Sequence, residues 1–532
     1  MRVLLRFSFH TASVMFLLGT LGANNAASQT DPTPTIQAYE ASPCALSMVW
    51  QADGDSAGDF FGFSVDGGKD FNGDGYPDAV VGAMLADRVY AYYRNWLTGE
   101  FSRGYNRGGN SGSDFGRCVK FLGVPDNYMH GECNVLAGAS GHSGAGNDSC
   151  GAVMDWNGNL DFSWIGGAKG DKLGYSVADL GVDLDGDGLN EIIAGAPEAM
   201  GVGGAPKAGY ALLLSPGGNA ELHRFSRGLA SERFGHSVAS LGDINDDGEV
   251  EIAIGAPLAS EQDTPPAIGM VFIYRASGPM TRVIFGENTG DYFGNSVANA
   301  GDVDNDGFPD IIIGAYRADV DGKSDCGACY VFSGRTNAQL AVHAGWASNT
   351  NFGYAVAGVG DIDNDGYDDY IVGAHRDDAD SKTDAGAAYV YSGHYHNILW
   401  MIVGAQPDDL FGCSVAPMGD FTLDGRPDFL VGAFSTNPGG RIEAGSAYLF
   451  GCTCDCAFNG DPAHDGVTNV LDVVGTVSDA FRGDPTEQGN SCRYCDSDVD
   501  CSGACDVRDV VRMVNVAFRG ADKTTEFCNG CL

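Results

Sequence analysis

Seven copies of one short motif constrain this chain more than any other feature. Each copy reads as an aromatic residue or Leu, then Gly, any residue, a small residue and Val. It occurs at Phe61, Phe115, Leu173, Phe234, Phe293, Phe352 and Phe411. The motif glycines, Gly62, Gly116, Gly174, Gly235, Gly294, Gly353 and Gly412, are spaced 54, 58, 61, 59, 59 and 59 residues apart. Within each unit lie four short runs rich in Val, Ile and Tyr, separated by Gly/Asp clusters. In the sixth unit they are YAVAGVG, DYIVGA, GAAYVYSG and ILWMIVG. Such runs between turn residues read as strands. Four strands per unit, repeated seven times, predict an all-β fold, a seven-bladed β-propeller of four-stranded antiparallel blades. The alternative, a linear array of small β-domains, fits less well, because a unit of about 60 residues is marginal as an independent β-domain without a ligand or staple. The 79 glycines then mark turns and weigh against long helices.

Ring closure is legible as well. The seventh unit stops after its third strand, at Ser446 to Gly451, while an orphan strand, Leu46 to Trp50, precedes the first motif. The N-terminal strand is therefore expected to complete the last blade and remove both open edges. That pairing would bring Cys44 beside Cys452, and a disulfide is expected between them.

Between the first two strands of six units lies an acidic loop of the form D-x-[DNT]-x-D-G-x-x-[DE]. The candidate ligands are Asp70, Asn72, Asp74 and Asp78 in the first unit, and Asp183, Asp185, Asp187 and Glu191 in the third. The fourth has Asp243, Asn245, Asp247 and Glu251; the fifth, Asp302, Asp304, Asp306 and Asp310. The sixth has Asp361, Asp363, Asp365 and Asp369; the seventh, Asp420, Thr422, Asp424 and Asp428. Alternate side chains of a tight loop turn their oxygens inward, Gly reverses the chain, and the last carboxylate closes the shell. Hard oxygen donors in such a loop select Ca²⁺ over Mg²⁺. Backbone carbonyls at the seventh position (Tyr76, Leu189, Glu249, Phe308, Tyr367, Arg426) are candidate extra ligands. About six Ca²⁺ are expected, with Thr422 weakening the seventh site. The second unit has GVPDNYMHGECNV there instead, and no metal is expected in it.

These features resemble the FG-GAP repeat of integrin α-chain propellers over roughly residues 44–451, in the FG motif, the acidic loop and the GA(P) that follows, including GAP at Pro197 and Pro257. The resemblance implies a propeller with structural Ca²⁺ on one face and a partner on the other. Topology divides the faces the same way, because turns one and three of a four-stranded meander fall at one end. Turn two and the crossovers, such as Ala405 to Leu410, fall at the other. Asp319, Asp321, Asp377, Asp378 and Asp380, in the second turns of the fifth and sixth units, are candidate contacts there, with solvated loop acidity as the alternative.

After Gly451 the composition changes, and nine of the 16 cysteines follow. Two segments starting at Asp461 and Asp498 match at an offset of 37, each an acidic loop followed by a short apolar helix. They resemble a dockerin, a small α-helical, disulfide-rich pair of EF-hand-like units. The resemblance implies one or two further Ca²⁺ on Asp461, Asp465 and Asp472, and on Asp498, Asp500, Ser502 and Asp509. It also implies a cohesin-like or cell-surface partner for the tail, although Val470-Leu471 and Val507-Arg508 depart from the family's Ser-Thr recognition positions. A disulfide-held anchoring tail is the alternative. Cys492-x-x-Cys495 and Cys528-x-x-Cys531 have zinc-like spacing, but an exported chain favours disulfides.

Residues 1–28 read as a signal peptide, with Arg2 and Arg6, an apolar stretch to Leu21, and small residues near Ala27. Residues 29–43 read as a linker, 44–451 as the propeller and 452–532 as the Cys-rich module. No later segment is long and apolar enough to span a bilayer. The expectation is a secreted or cell-surface protein. A net charge of −41 opposes nucleic acid as a partner, and nearly a third of the 71 acidic side chains sit in the six loops. HExxH does not occur, and no catalytic constellation emerges. The expected function is therefore recognition of an extracellular protein or glycan by a calcium-binding propeller. The alternatives are a polysaccharide-binding lectin and a calcium-assisted polysaccharide lyase or hydrolase.

Overall fold

A computed structural model describes residues 32–39, 44–94, 101–123, 134–143, 150–156, 163–260 and 267–453. The signal sequence, the second unit's irregular loop (124–133) and the dockerin-like segment with its ligand candidates lie outside these residues.

The described chain forms seven antiparallel sheets of four strands, one of them with a fifth strand added. The fifth blade shows the common plan: Ser296–Gly301, Asp310–Ala315, Ala328–Phe332 and Gln339–Ala344 pair in sequence order. The first strands line the centre, and each packs on the first strand of the next blade, the seventh on the first. The second strands are covered on both faces by neighbouring blades. This is why DIIIGA and DYIVGA, after their opening Asp, read as continuous buried runs rather than alternating ones. Outer strands such as Ala220–Phe225 keep one exposed face.

The motif aromatics and Leu173 are 0–2% exposed. Each Phe of the last three blades packs against the Tyr of its own third strand, with ring centroids at 5.4 Å (Phe293–Tyr330), 5.4 Å (Phe352–Tyr389) and 5.6 Å (Phe411–Tyr448). The following glycine is required by space. A Cβ on Gly314, in the GA of the fifth blade, would overlap the carbonyl oxygen of Gly353 in the FG of the sixth, and Gly432 stands in the same relation to Gly62 across the closure. Gly353 itself has φ +84°, a conformation an L side chain resists. Motif serines stitch adjacent blades together: Ser296 Oγ donates to Gly353 O at 3.0 Å, and Ser414 Oγ to Gly62 O at 2.9 Å.

The expected latch is present. Ala45–Asp53 pairs with Ser446–Thr453 as the outer strand of the seventh blade, and Cys44 is disulfide-bonded to Cys452. Two expectations need correction. Within the stretch read as a linker, Thr35–Ala38 forms a fifth strand on the outer edge of the sixth blade, from Thr35 opposite Val403 to Ala38 opposite Trp400. Ile36 packs into the core there, which explains the burial of an otherwise open edge. Export also favoured disulfides, yet Cys118, Cys326, Cys329 and Cys413 are free thiols, buried or half-buried, that pack as small apolar side chains.

The Cys44–Cys452 bridge closes a loop of 408 residues. Replacing both cysteines by Ser is expected to destabilise the ring by about 3 kcal/mol, seen as a lower denaturation midpoint. An unchanged midpoint would show that strand pairing alone seals the ring.

Candidate metal centre

The six acidic loops share one wiring scheme. The first Asp accepts backbone N–H groups from the loop it opens. Asp361 takes those of Asp365 (3.0 Å) and Gly366 (2.9 Å), and Asp302 those of Asp306 (2.9 Å) and Gly307 (2.8 Å). Asp70, Asp183, Asp243 and Asp420 do the same in their loops. The chain reverses through a left-handed residue, Asn364 in the sixth loop, followed two residues later by Gly366 at φ +91°. The closing carboxylates Asp78, Glu191, Glu251, Asp310, Asp369 and Asp428 begin or immediately precede the second strands and are 0% exposed.

The loops differ in how far their carboxylates converge. Asp183, Asp185 and Glu191 bring one oxygen each within 4.8 Å of one another, as do Asp302, Asp304 and Asp306, and Asp361, Asp363 and Asp365. Among the described residues no such triple forms in the first, fourth and seventh loops, where Asn72, Asn245 and Thr422 replace a carboxylate. In the fifth and sixth loops the closing residues stand outside the triple. Asp369 accepts N–H groups of Ile362 (2.8 Å), Asp363 (3.3 Å) and Gly393 (2.8 Å), and Asp310 is held in the same way by Val303, Asp304 and Gly334.

These residues fit a hard divalent cation. All the donors are oxygens. Asp78 Oδ1, Glu191 Oε1 and Asp424 Oδ2 are buried with no hydrogen-bond partner, an arrangement that costs free energy unless something positive meets them. Sequence reasoning missed two arginines at the loops. Arg275, from the third strand of the fourth blade, pairs with Asp247, and Arg94, from that of the first blade, donates to Phe421 O at 2.9 Å inside the seventh loop. Both lie at third-strand ends, so the position could have been flagged, but contact with a loop could not.

Burial, with neighbouring carboxylates adding to it, pushes the closing groups up. Asp78, Glu191 and Asp310 rise to about 7, and Asp369 and Asp428 to about 8. Asp363 and Asp424 rise to about 6 for the same first cause. In an unfolded chain these groups titrate near 4. Their contribution to stability is therefore full below about pH 4 and is lost as pH rises through 7 to 8. Metal-free protein is expected to melt higher at pH 5.5 than at pH 8.5, and a cation that holds the ionised form should remove that difference. Equal melting of metal-free protein at both values would refute the crowding argument.

The candidate contacts of the opposite face also separate. Asp321 and Asp380 are exposed. Asp319 and Asp378 accept N–H groups of their own loops, from Asp325 (2.7 Å) and Asp384 (2.8 Å). Asp377 is 6% exposed and accepts the Tyr389 hydroxyl at 2.6 Å, so it braces the turn rather than facing a partner.

Residues 61–95, 234–274, 293–332 and 352–391 match the FG-GAP repeat. These are the first, fourth, fifth and sixth blades. The chain is 32% identical over 217 residues to integrin alpha-8 of Mus musculus, covering 38% of this chain and 19% of that protein. It is 35% identical over 216 residues to integrin alpha-V of Gallus gallus (38% and 20%). It is 31% identical over 218 residues to integrin alpha-PS2 of Drosophila melanogaster (37% and 15%). The chain spans a fifth or less of the length of these relatives. Its propeller carries FG-GAP repeats and is integrin-α-like.

Proposed function

We propose that this chain is a secreted or cell-surface, calcium-binding interaction protein rather than an enzyme. Its propeller would meet an extracellular protein or glycan on the face opposite the acidic loops. The observation that carries the reading is the convergence of three carboxylates at one structural position in three blades, joined to similarity to integrin α chains. Ca²⁺ would be held most tightly by the third, fifth and sixth loops. The first and seventh have one carboxylate fewer, and in the fourth Arg275 already compensates Asp247. Bound there, Ca²⁺ would hold turn one of each blade; the chain's own loop amides orient the carboxylates around it. The loops serve structure, and the other end, built from FG turns and second turns, is left for recognition. The Cys-rich segment would dock or anchor the propeller.

Metal that binds only the folded loops stabilises the fold by mass action, about 2.7 kcal/mol per site at a hundredfold excess over Kd. Chelation is therefore expected to lower the melting temperature sharply. Asp363→Ala should remove one Ca²⁺ from the count in native mass spectrometry and leave the other sites filled. A melt insensitive to chelation would refute structural calcium. Loss of every ion on that one change would refute independent blades.

A further inference from the structure

The residue after each FG glycine points to the centre of the ring, at the end opposite the acidic loops. There the seven blades enclose a cavity of about 290 Å³. Its lining is chemically divided. Tyr292, Tyr316 and Tyr354, from the fifth and sixth blades, form a continuous wall of edge-to-face rings, with centroids at 5.4 and 5.5 Å. Arg117, from the second blade, stands across the seven-fold ring from them, and Arg233 enters from the fourth.

Neither guanidinium is fully partnered. Arg117 lies over the Tyr175 ring at 3.8 Å, and its Nη1 reaches only Met84 Sδ, at 3.6 Å. Among the described residues no carboxylate pairs with it. Arg233 reaches Glu198 at 3.4 Å. The Nε atoms of both are buried and without an acceptor. His236 adds no charge. Its Nδ1–H donates to Asn295 O and its Nε2 accepts the Tyr175 hydroxyl, both at 3.2 Å, and burial together with the two guanidiniums holds it at about 4.

An aromatic cup without the arginines would suit a cation. Here the face of Tyr175 is already occupied and two fixed positive charges repel a second cation. What the cavity lining lacks is an anionic group: a planar carboxylate matches the guanidinium fork. A ligand that is only a carboxylate would leave the tyrosine wall empty. The volume lies at the lower limit of small-molecule sites, enough for a sugar ring with its carboxylate.

We infer that the central mouth of the propeller binds an acidic saccharide, a hexuronic acid unit whose carboxylate meets Arg117 and Arg233 and whose ring packs on Tyr316 and Tyr354. This rests on the reading that this face meets the partner, and it specifies the partner's chemistry.

The test is calorimetric titration of the full-length, calcium-loaded chain with oligogalacturonate, with the neutral galactose oligomer, with acetate and with a poly-glutamate peptide. Oligogalacturonate is expected to bind and the neutral oligomer not to. Arg117→Gln and Tyr354→Ala should each weaken binding at least tenfold, with the calcium count and melting temperature of the variants reporting that they are folded. If Arg117→Gln loses its calcium or its fold, Arg117→Lys, which keeps the charge and loses the fork, takes its place with the same expected loss. Uronate binding that survives these changes, or equals neutral-sugar or acetate binding, overturns the assignment. Binding of the acidic peptide without uronate would assign the mouth to a protein carboxylate and overturn it too. If uronate fails while the chain still captures a cell-surface partner through its second turns, this inference falls and the interaction reading stands.

Discussion

The structure depends on how closely adjacent blades approach at the centre. The GA glycine of each blade lies against the carbonyl of the FG glycine in the next, and the approach recurs across the closure between Gly432 and Gly62. It leaves no room for a Cβ, so the inter-blade contact is made by backbone, with serine hydroxyls of five blades bridging to the same carbonyls. Blades two and six carry Cys118 and Ala355 at that position. The buried motif aromatics fill the wedge that opens outward from each contact. Ring radius is thus set by backbone van der Waals distance, and everything attached to the ring inherits its position from it.

Two consequences of that geometry lie at opposite ends. First strands run from the FG turns to the acidic loops, so every loop emerges on one face and every residue after FG on the other. The acidic face concentrates carboxylates whose burial, with mutual repulsion added, raises their proton affinity, the condition in which a divalent cation is most useful. At the other end a chain of net charge −41 places two arginines around a single cavity. Strand direction decides which end each set occupies, and the second turns at the arginine end carry Asp319, Asp321, Asp377, Asp378 and Asp380 as well.

Much of this could be read from the residues. The FG spacing, the four apolar runs per unit and the D-x-[DNT]-x-D-G pattern are local and periodic, and the missing fourth strand of the last blade pointed to Leu46–Trp50 and to the Cys44–Cys452 bridge. Other features were not legible. The segment TIQA is too short to declare itself a strand, and its partner Ile398–Val403 lies more than 350 residues away. The roles of Asp369 and Asp310 look identical to that of Glu191 in the motif. Only the structure separates them: the shorter side chains are saturated by backbone amides, while the longer one reaches its neighbours and leaves Oε1 without a partner.

By itself, the sequence determined the blade number, the strand plan, the position of the acidic loops and the means of closure, because each is a pattern within one repeat or a deficit at its ends. The tertiary structure alone decided which side chains meet between repeats. Arg117, His236 and Tyr354 each occupy the unremarked position after an FG glycine, with one or more whole repeats between them. They line one cavity because the glycine contacts hold the first strands in a closed ring around it. The meeting of Arg275 with Asp247 lies within one repeat, and it depends on the register that sets Arg275 opposite Glu251 rather than on either residue's neighbours in the chain.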